Sequence, residues 1–263
     1  MCGIIVAASA STCGSGLLDD MQRSLEKLRH RGPDGSGALV SSEEGGIMVS
    51  LGHTLLSIVG DNATQPITCS TKNRKYHLVH NGEVYNHREL RERILAEKWC
   101  SCTDFEAGSD SEVLLACLAH KGVDWTLENV RGMFAFVLVE IQGDSLVKII
   151  MSRDPFGIKP LCYAISQGNV IISSEISAFP EDVLSLTVSD VLPSRSIELL
   201  LVAGEWILRE QSYFDPIISS SICGEYSDND ICSTIQKALI DAVRIRMPAT
   251  KVNMGVLLSC GLD

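Results

Sequence analysis

The second residue of the chain is a cysteine set between Met1 and Gly3. Removal of Met1 would give Cys2 a thiol and a free α-amine on one residue. That amine, with a pKa of about 7.7–8, is partly neutral near physiological pH and can take the thiol proton, so the nucleophile needs no separate histidine. Gly3 is small enough to leave the terminus accessible. Taken alone, Met-Cys reads more simply as a small buried cysteine opening a strand. Two other positions are equally double-edged: Asn81-Gly82 alone is a hairpin-turn signal, and Asp110 alone is a residue of a helix cap. The remaining candidates exclude metal chemistry. Cys100-Ser101-Cys102 is too tight for a CxxC and has no matching Cys/His pair, and the six histidines show no HxxxH pairing, so no protein-ligated transition metal is expected. The ten cysteines lack framework spacing, which predicts reduced thiols and a cytoplasmic protein.

The elements that must carry these residues can be read from periodicity. Leu17, Leu18, Met21, Leu25 and Leu28 recur at helical spacing and predict a helix ending near His30-Arg31-Gly32-Pro33, with Arg29 and Arg31 suited to the dipole at its end. A second helix is expected from Asn86 to about Trp99. A third follows Gly108, where Ser109 and Glu112 have capping-box spacing and Val113, Leu114 and Cys117 form the apolar face. Strands are expected at Ile4–Ala8, Ile47–Leu56, Tyr76–His80, Met133–Ile141, Leu146–Met151, Leu161–Ile165 and Val170–Ser173, and as a hairpin pairing Ile197–Val202 with Trp206–Leu208. Helices among many strands, without parallel βαβ alternation before the end, argue for α+β with antiparallel sheets. Pro216–Asp230 reads as a linker. A helix carrying Ile231, Ile235, Leu239, Ala242 and Ile245 follows, then a strand at Met254–Leu258.

Composition narrows the partners. The chain of 263 residues can bury a large core. Its net charge of −11, with no Lys/Arg cluster, argues against nucleic acid. Apolar runs such as Met133–Val139 are far too short for a membrane span, and no Lys or Arg precedes the apolar start, so neither a membrane nor a secretory signal is expected.

Seven stretches occur together and in one order: Met1–Ile4, Arg29–Gly35, Gln65-Pro66, Asn81–His87, Gly108–Glu112, Gly132–Phe136 and Ser152–Leu161. In these the sequence resembles the class II glutamine amidotransferases, and within them the glutamine-hydrolysing asparagine synthetases. The resemblance covers Met1 to about Asp215. It implies a four-layer αββα sandwich of the N-terminal-nucleophile amidohydrolase type over 1–215. Residues 216–263 would be the linker, helix and first strand of an ATP-pyrophosphatase domain, the beginning of an α/β domain. In the resembling family the Cys2 thiolate attacks the side-chain amide carbon of L-glutamine, giving a glutamyl thioester and ammonia. The Asn81 amide and the Gly82 backbone N–H stabilise the oxyanion, one such donor being worth about 3–4 kcal/mol. Glycine at 82 would let the backbone approach the substrate with no Cβ in the way. Asp110 holds the substrate's α-ammonium, Glu83 helps through its backbone, and Leu55, Ile58 and Val59 line the glutamine site. The Arg153-Asp154-Pro155-Phe156-Gly157 turn is expected beside the pocket, supporting it without a catalytic role. At the C-terminus Leu258, Ser259, Cys260, Gly261 and Asp263 resemble the start of a pyrophosphate-binding loop, which implies ATP and Mg for a synthetase half but no cofactor for glutamine hydrolysis.

Two positions depart from the pattern. Leu55 stands where the family has the Arg that clamps the glutamine α-carboxylate, predicting binding weaker by about ten- to a hundredfold unless another cation, such as Arg74, substitutes. Cys260 stands where the family loop has Gly. The expected function is therefore the glutaminase half of an asparagine synthetase, acting on glutamine, with aspartate and ATP as substrates of a complete enzyme and a homodimer as the assembly considered. The alternative is a degenerate, non-catalytic relative that keeps the fold as an interaction module.

Overall fold

The computed structural model describes residues 2–9, 17–42, 47–57, 64–99, 108–143, 145–166, 168–180, 187–215, 227–247 and 255. The chain divides into two compact units, Met1–Ser220 and Ser221–Asp263. In the second, the described structure is one helix, α5 (Asp228–Arg246), whose N-terminus carries a capping box between Ser227 and Asp230. Asp228–Asp230 are thus already helical rather than linker. Of the expected strand Met254–Leu258 only Gly255 is described, and the loop residues Leu258, Ser259, Cys260, Gly261 and Asp263 lie outside the described residues.

The first unit is built on two six-stranded antiparallel sheets. One holds β1 (Gly3–Ser9), β2 (Gly35–Ser42), β3 (Met48–Leu55), β8 (Cys162–Ser166), β9 (Asn169–Ser173) and β10 (Val188–Asp190) in the order β10-β8-β9-β1-β3-β2. The other holds β4 (Ile67–Ser70), β5 (Lys75–Val84), β6 (Gly132–Gln142), β7 (Ser145–Arg153), β11 (Arg195–Val202) and β12 (Glu205–Ser212) in the order β12-β11-β7-β6-β5-β4.

The sheets stack through one apolar core. Side chains alternate across a strand, and Ile4, Val6 and Ala8 of β1 meet Val79 of β5 and Ala135, Val137 and Val139 of β6 there. The opposite parity serves the outer faces. Ile5 packs with Met21, Leu25 and Leu28 of α1 (Leu17–Lys27) and the residue after it. Leu78, Phe134 and Phe136 pack with Leu90 and Ile94 of α2 (His87–Ala96) and Val113, Leu114 and Cys117 of α3 (Asp110–Lys121). Both central strands are buried on two faces, which is why they read as continuous apolar runs rather than alternating ones. Helix, sheet, sheet, helix is the αββα order expected from the sequence.

The capping box of α3 forms as predicted, Ser109 Oγ accepting from Glu112 N and Glu112 Oε2 accepting from Ser109 N. Helix α2 ends at Ala96, short of the expected Trp99. A short helix α4 (Val123–Asn129) and the strands β2, β4 and β10 had no sequence signal strong enough to find them. The turn reading of Asn81-Gly82 is overturned: both residues lie inside β5, Asn81 opposite Ala135 and Gly82 opposite Phe134.

Candidate active site

Cys2 immediately precedes β1, and the alternation that turns Ile4, Val6 and Ala8 between the sheets carries Cys2 to that face as well. The cysteine is held from both ends. Its carbonyl accepts a hydrogen bond from Arg31 Nε at 3.0 Å, and Arg31 in turn pairs with Glu175 at 2.5 Å. Its sulfur lies against the end of β3, 3.4 Å from the donating Leu56 N and 3.7 Å from Leu56 O. Gly3 N donates to Thr54 Oγ1 at 3.1 Å, and Thr54 Oγ1 donates to Leu28 O, tying the start of β1 to the end of α1. Gly3 is required by packing, since a Cβ there would lie 2.7 Å from Thr54 Oγ1. Arg31, read from sequence as a helix-end cation, therefore positions the backbone of Cys2.

Burial pushes the Cys2 thiol above its ordinary pKa. The Leu56 backbone and the N-terminal charge pull it down, Asp110 pushes it up again, and Lys159 pulls it down. The resting group is a thiol, so attack would need a base.

The second sheet brings Asn81 and Gly82. Asn81 is buried and shares the inter-sheet parity of Val79, yet its Nδ2 has no hydrogen-bond partner. A buried donor left unpaired costs about 1–3 kcal/mol, which marks a group held ready for something else. The Gly82 N–H is aimed by alternation along β5. His80 N donates to Gln65 Oε1 at 2.6 Å and Val84 N donates to Asp110 Oδ2 at 2.8 Å, both away from β6. The N–H two residues from each therefore points to the same edge. Strand β4 covers β5 only from Lys75 to Leu78, so that edge is open at Gly82. Strand packing by itself requires glycine here, since a Cβ would sit 2.1 Å from Met133 O on β6.

Asp110 is the first residue of α3 and is buried; one oxygen is occupied by Val84 N. Glu83, half-buried, has its carboxyl raised by burial and by Asp110, with His87 and Lys159 opposing. Beneath them lie neutral histidines. His80 Nδ1 is 2.9 Å from Ser111 Oγ, and burial lowers its pKa. Burial and His80 push His53 down to about 3.

Of the residues expected to meet glutamine, Cys2, Asp110 and Glu83 share one electrostatic neighbourhood, and Asn81 and Gly82 lie on the same strand as Glu83. Leu55 ends β3 on the inter-sheet face, half-buried. Ile58 and Val59 lie outside the described residues. Arg74 does not replace the missing arginine: it is bound to Glu140 at the opposite end of β5. Sequence reasoning missed Arg31, His80 and Lys159. Among the described residues no group of three or more His, Cys, Asp or Glu is placed to hold a metal ion, and no helix is long and apolar enough to cross a membrane.

Comparison with known proteins agrees with this architecture. Amidase chyE of Penicillium rubens is 28% identical over 94% of this chain and 37% of its own length. A probable glutamine-hydrolysing asparagine synthetase of Dictyostelium discoideum is 31% identical over 100% of this chain and 44% of its own. Asparagine synthetase B of Escherichia coli is 32% identical over 90% and 38%. The chain thus spans less than half the length of these relatives. The solved glutamine phosphoribosylpyrophosphate amidotransferase of B. subtilis shares the fold, with a TM-score of 0.61 at 20% identity over 81% of this chain and 49% of that one. A family model described as a glutamine amidotransferase domain matches residues 1–222. With Cys2 at a strand end in one sheet, an asparagine–glycine edge in the other and that match across both, the chain belongs to the glutamine amidotransferase domain family.

Proposed function

We propose that this chain hydrolyses the side-chain amide of L-glutamine to glutamate and ammonia. The observation that carries the reading is the buried, unpartnered amide of Asn81 on a strand edge where the Gly82 N–H is also open. With Met1 removed, the Cys2 amine takes the thiol proton and sulfur attacks the amide carbon. The oxyanion draws on Asn81 Nδ2 and the Gly82 N–H. The protonated amine returns its proton to the leaving nitrogen, ammonia departs, and water adds to the thioester to release glutamate and the thiol. Asp110, with one oxygen already anchored, takes the α-ammonium through the other, and Glu83 borders the same subsite.

The use of the ammonia is read from the relatives. Several are named glutamine-hydrolysing asparagine synthetases, and residues 216–263 resemble the opening of a domain that would bind ATP and Mg through Leu258, Ser259, Cys260, Gly261 and Asp263 and amidate aspartate. Residues 1–215 form the amidotransferase part of that proposal. A reducing cytoplasm suits a nucleophilic thiol.

A diazo-ketone analogue of glutamine tests the reading. Incubation followed by N-terminal mass spectrometry is expected to give one adduct, on Cys2, in chain lacking Met1. Absence of the adduct, with Met1 retained, would favour the non-catalytic alternative.

A further inference from the structure

Lys159 lies on the segment that crosses from β7 in one sheet to β8 in the other and is only 5% exposed. Its backbone is fixed, N–H donating to Asp154 Oδ2 at 3.1 Å and carbonyl accepting from Arg153 Nε at 2.7 Å. Its ammonium, by contrast, has no hydrogen-bond or ion-pair partner among the described residues. Burial and Arg31 disfavour that charge, and Asp154 and Glu83 act on it without touching it, so a buried lysine charge with no contacting counter-ion suits an anion that arrives from outside.

Register says where that anion would sit. Cys162 of β8 pairs with Ser173 of β9, and Ser173 pairs with Ile5 of β1, so Cys162 and Ile5 lie level on parallel strands two places apart. Three residues back along each are Lys159 and Cys2, at one end of the sheet and about 10 Å apart by strand spacing. That backbone spacing leaves room for a substrate between the two side chains. It matches a glutamine laid between them, amide carbon at sulfur and α-carbon toward the lysine. The charges agree: Lys159 feels Cys2 and Glu83, and Glu83 feels both Lys159 and Asp110. The α-carbon end of the pocket therefore carries the carboxyl groups of Asp110 and Glu83 and the cation of Lys159, a pattern that suits a free amino acid.

The other cations nearby are committed. Arg31 is bound to Cys2 O and Glu175, and Arg153 donates to the carbonyls of Lys159, Val191 and Gly157. Leu55 offers no charge. We propose that Lys159 binds the α-carboxylate of the glutamine substrate, from the crossover segment rather than from the end of β3, and so sets the specificity for a free α-amino acid. This rests on the proposed glutaminase reading, and it removes the ten- to hundredfold weakening that Leu55 alone would predict.

The test compares L-glutamine with L-glutaminamide, which keeps the side-chain amide and the α-ammonium but replaces the carboxylate with a carboxamide. Both are assayed by ammonia release on the full chain lacking Met1. Lys159→Met is expected to raise KM for glutamine by about ten- to a hundredfold with kcat little changed, to leave KM for glutaminamide unmoved, and to be rescued by Lys159→Arg. A cooperative urea transition of unchanged m in Lys159→Met shows that the fold is intact. An unchanged KM for glutamine, or an equal loss on both compounds, overturns the proposal. Equilibrium binding of labelled L-glutamine to the Cys2→Ala chain separates the two readings. Binding that Lys159→Met weakens, in a protein that hydrolyses nothing, refutes glutaminase activity but keeps the lysine assignment, and no saturable binding overturns both.

Discussion

Asn81 and Gly82 are neighbours in sequence with opposite liabilities, and single substitutions should separate them. The Asn81 amide is buried without a partner, so Asn81→Ala removes a strained donor as well as an oxyanion contact. Stability should hold or rise slightly in a urea titration, while kcat for glutamine falls by about 10²–10³. Gly82→Ala places a Cβ 2.1 Å from Met133 O at a φ of +155°, and β5 must part from β6 to admit it. A loss of about 3 kcal/mol is expected in the same titration. Activity lost without stability for Asn81, and stability lost for Gly82, is the pattern to look for; equal destabilisation of both would contradict it. The type and order of these residues were legible in the sequence because a short motif carries them. Their setting was not, since an Asn-Gly pair looks the same in a turn and in a buried strand until its partner strand is known.

Among the elements, the crossover from Arg153 to Leu161 does most to join the two sheets, and its strength is concentrated in one carboxylate. Asp154 is fully buried and accepts four backbone N–H groups: Phe134 at 3.2 Å, Phe156 at 3.1 Å, Ile158 at 3.0 Å and Lys159 at 3.1 Å. Its own N–H donates to Phe134 O, so it continues β7 against β6 at the level of Gly82 while it shapes the turn that presents Lys159. Asp154→Asn keeps the shape but turns an amide NH2 toward donors that need acceptors. We expect a loss of about 3 kcal/mol, read as a lower urea midpoint at unchanged m, with KM for glutamine rising as the Lys159 backbone loosens. A midpoint equal to the parent would refute the role. In the sequence, Arg-Asp-Pro-Phe-Gly read as a turn, which is correct as far as it goes. That the turn brings Lys159 to the Cys2 end of the sheet follows from pairings between β8, β9 and β1, whose partners are far apart along the chain, and local pattern cannot carry such information. Helix α3 is the contrasting case: its cap, its apolar face and the place of Asp110 are all set within one short segment, and all could be read there.

For the first unit as a whole, the histidines buried in and around its two sheets make folding depend on pH. His53, His77 and His80 are each about 1% exposed. Burial pushes His53 down to about 3 and His77 down to about 4, and lowers His80 as well. In the unfolded chain each titrates near 6.5. Between that value and the lowered one, the unfolded state binds protons that the folded state refuses, so stability is full above about pH 6.5 and is lost as pH falls. Each histidine contributes about 1.4 kcal/mol per pH unit in that window. Glu83 acts in the opposite sense, since a carboxyl raised by burial favours the folded state as it protonates, but it is one group against three. Urea unfolding of the full chain at pH 7, 6 and 5 should therefore show a steep decline well above the range where ordinary carboxylates titrate. His53→Gln, which cannot take a proton, should recover about 2 kcal/mol of the decline between pH 6.5 and pH 5 relative to its own value at pH 7. A pH-independent midpoint across that range would mean that these histidines are protonated in the folded protein, and the neutral state assigned to them would fail.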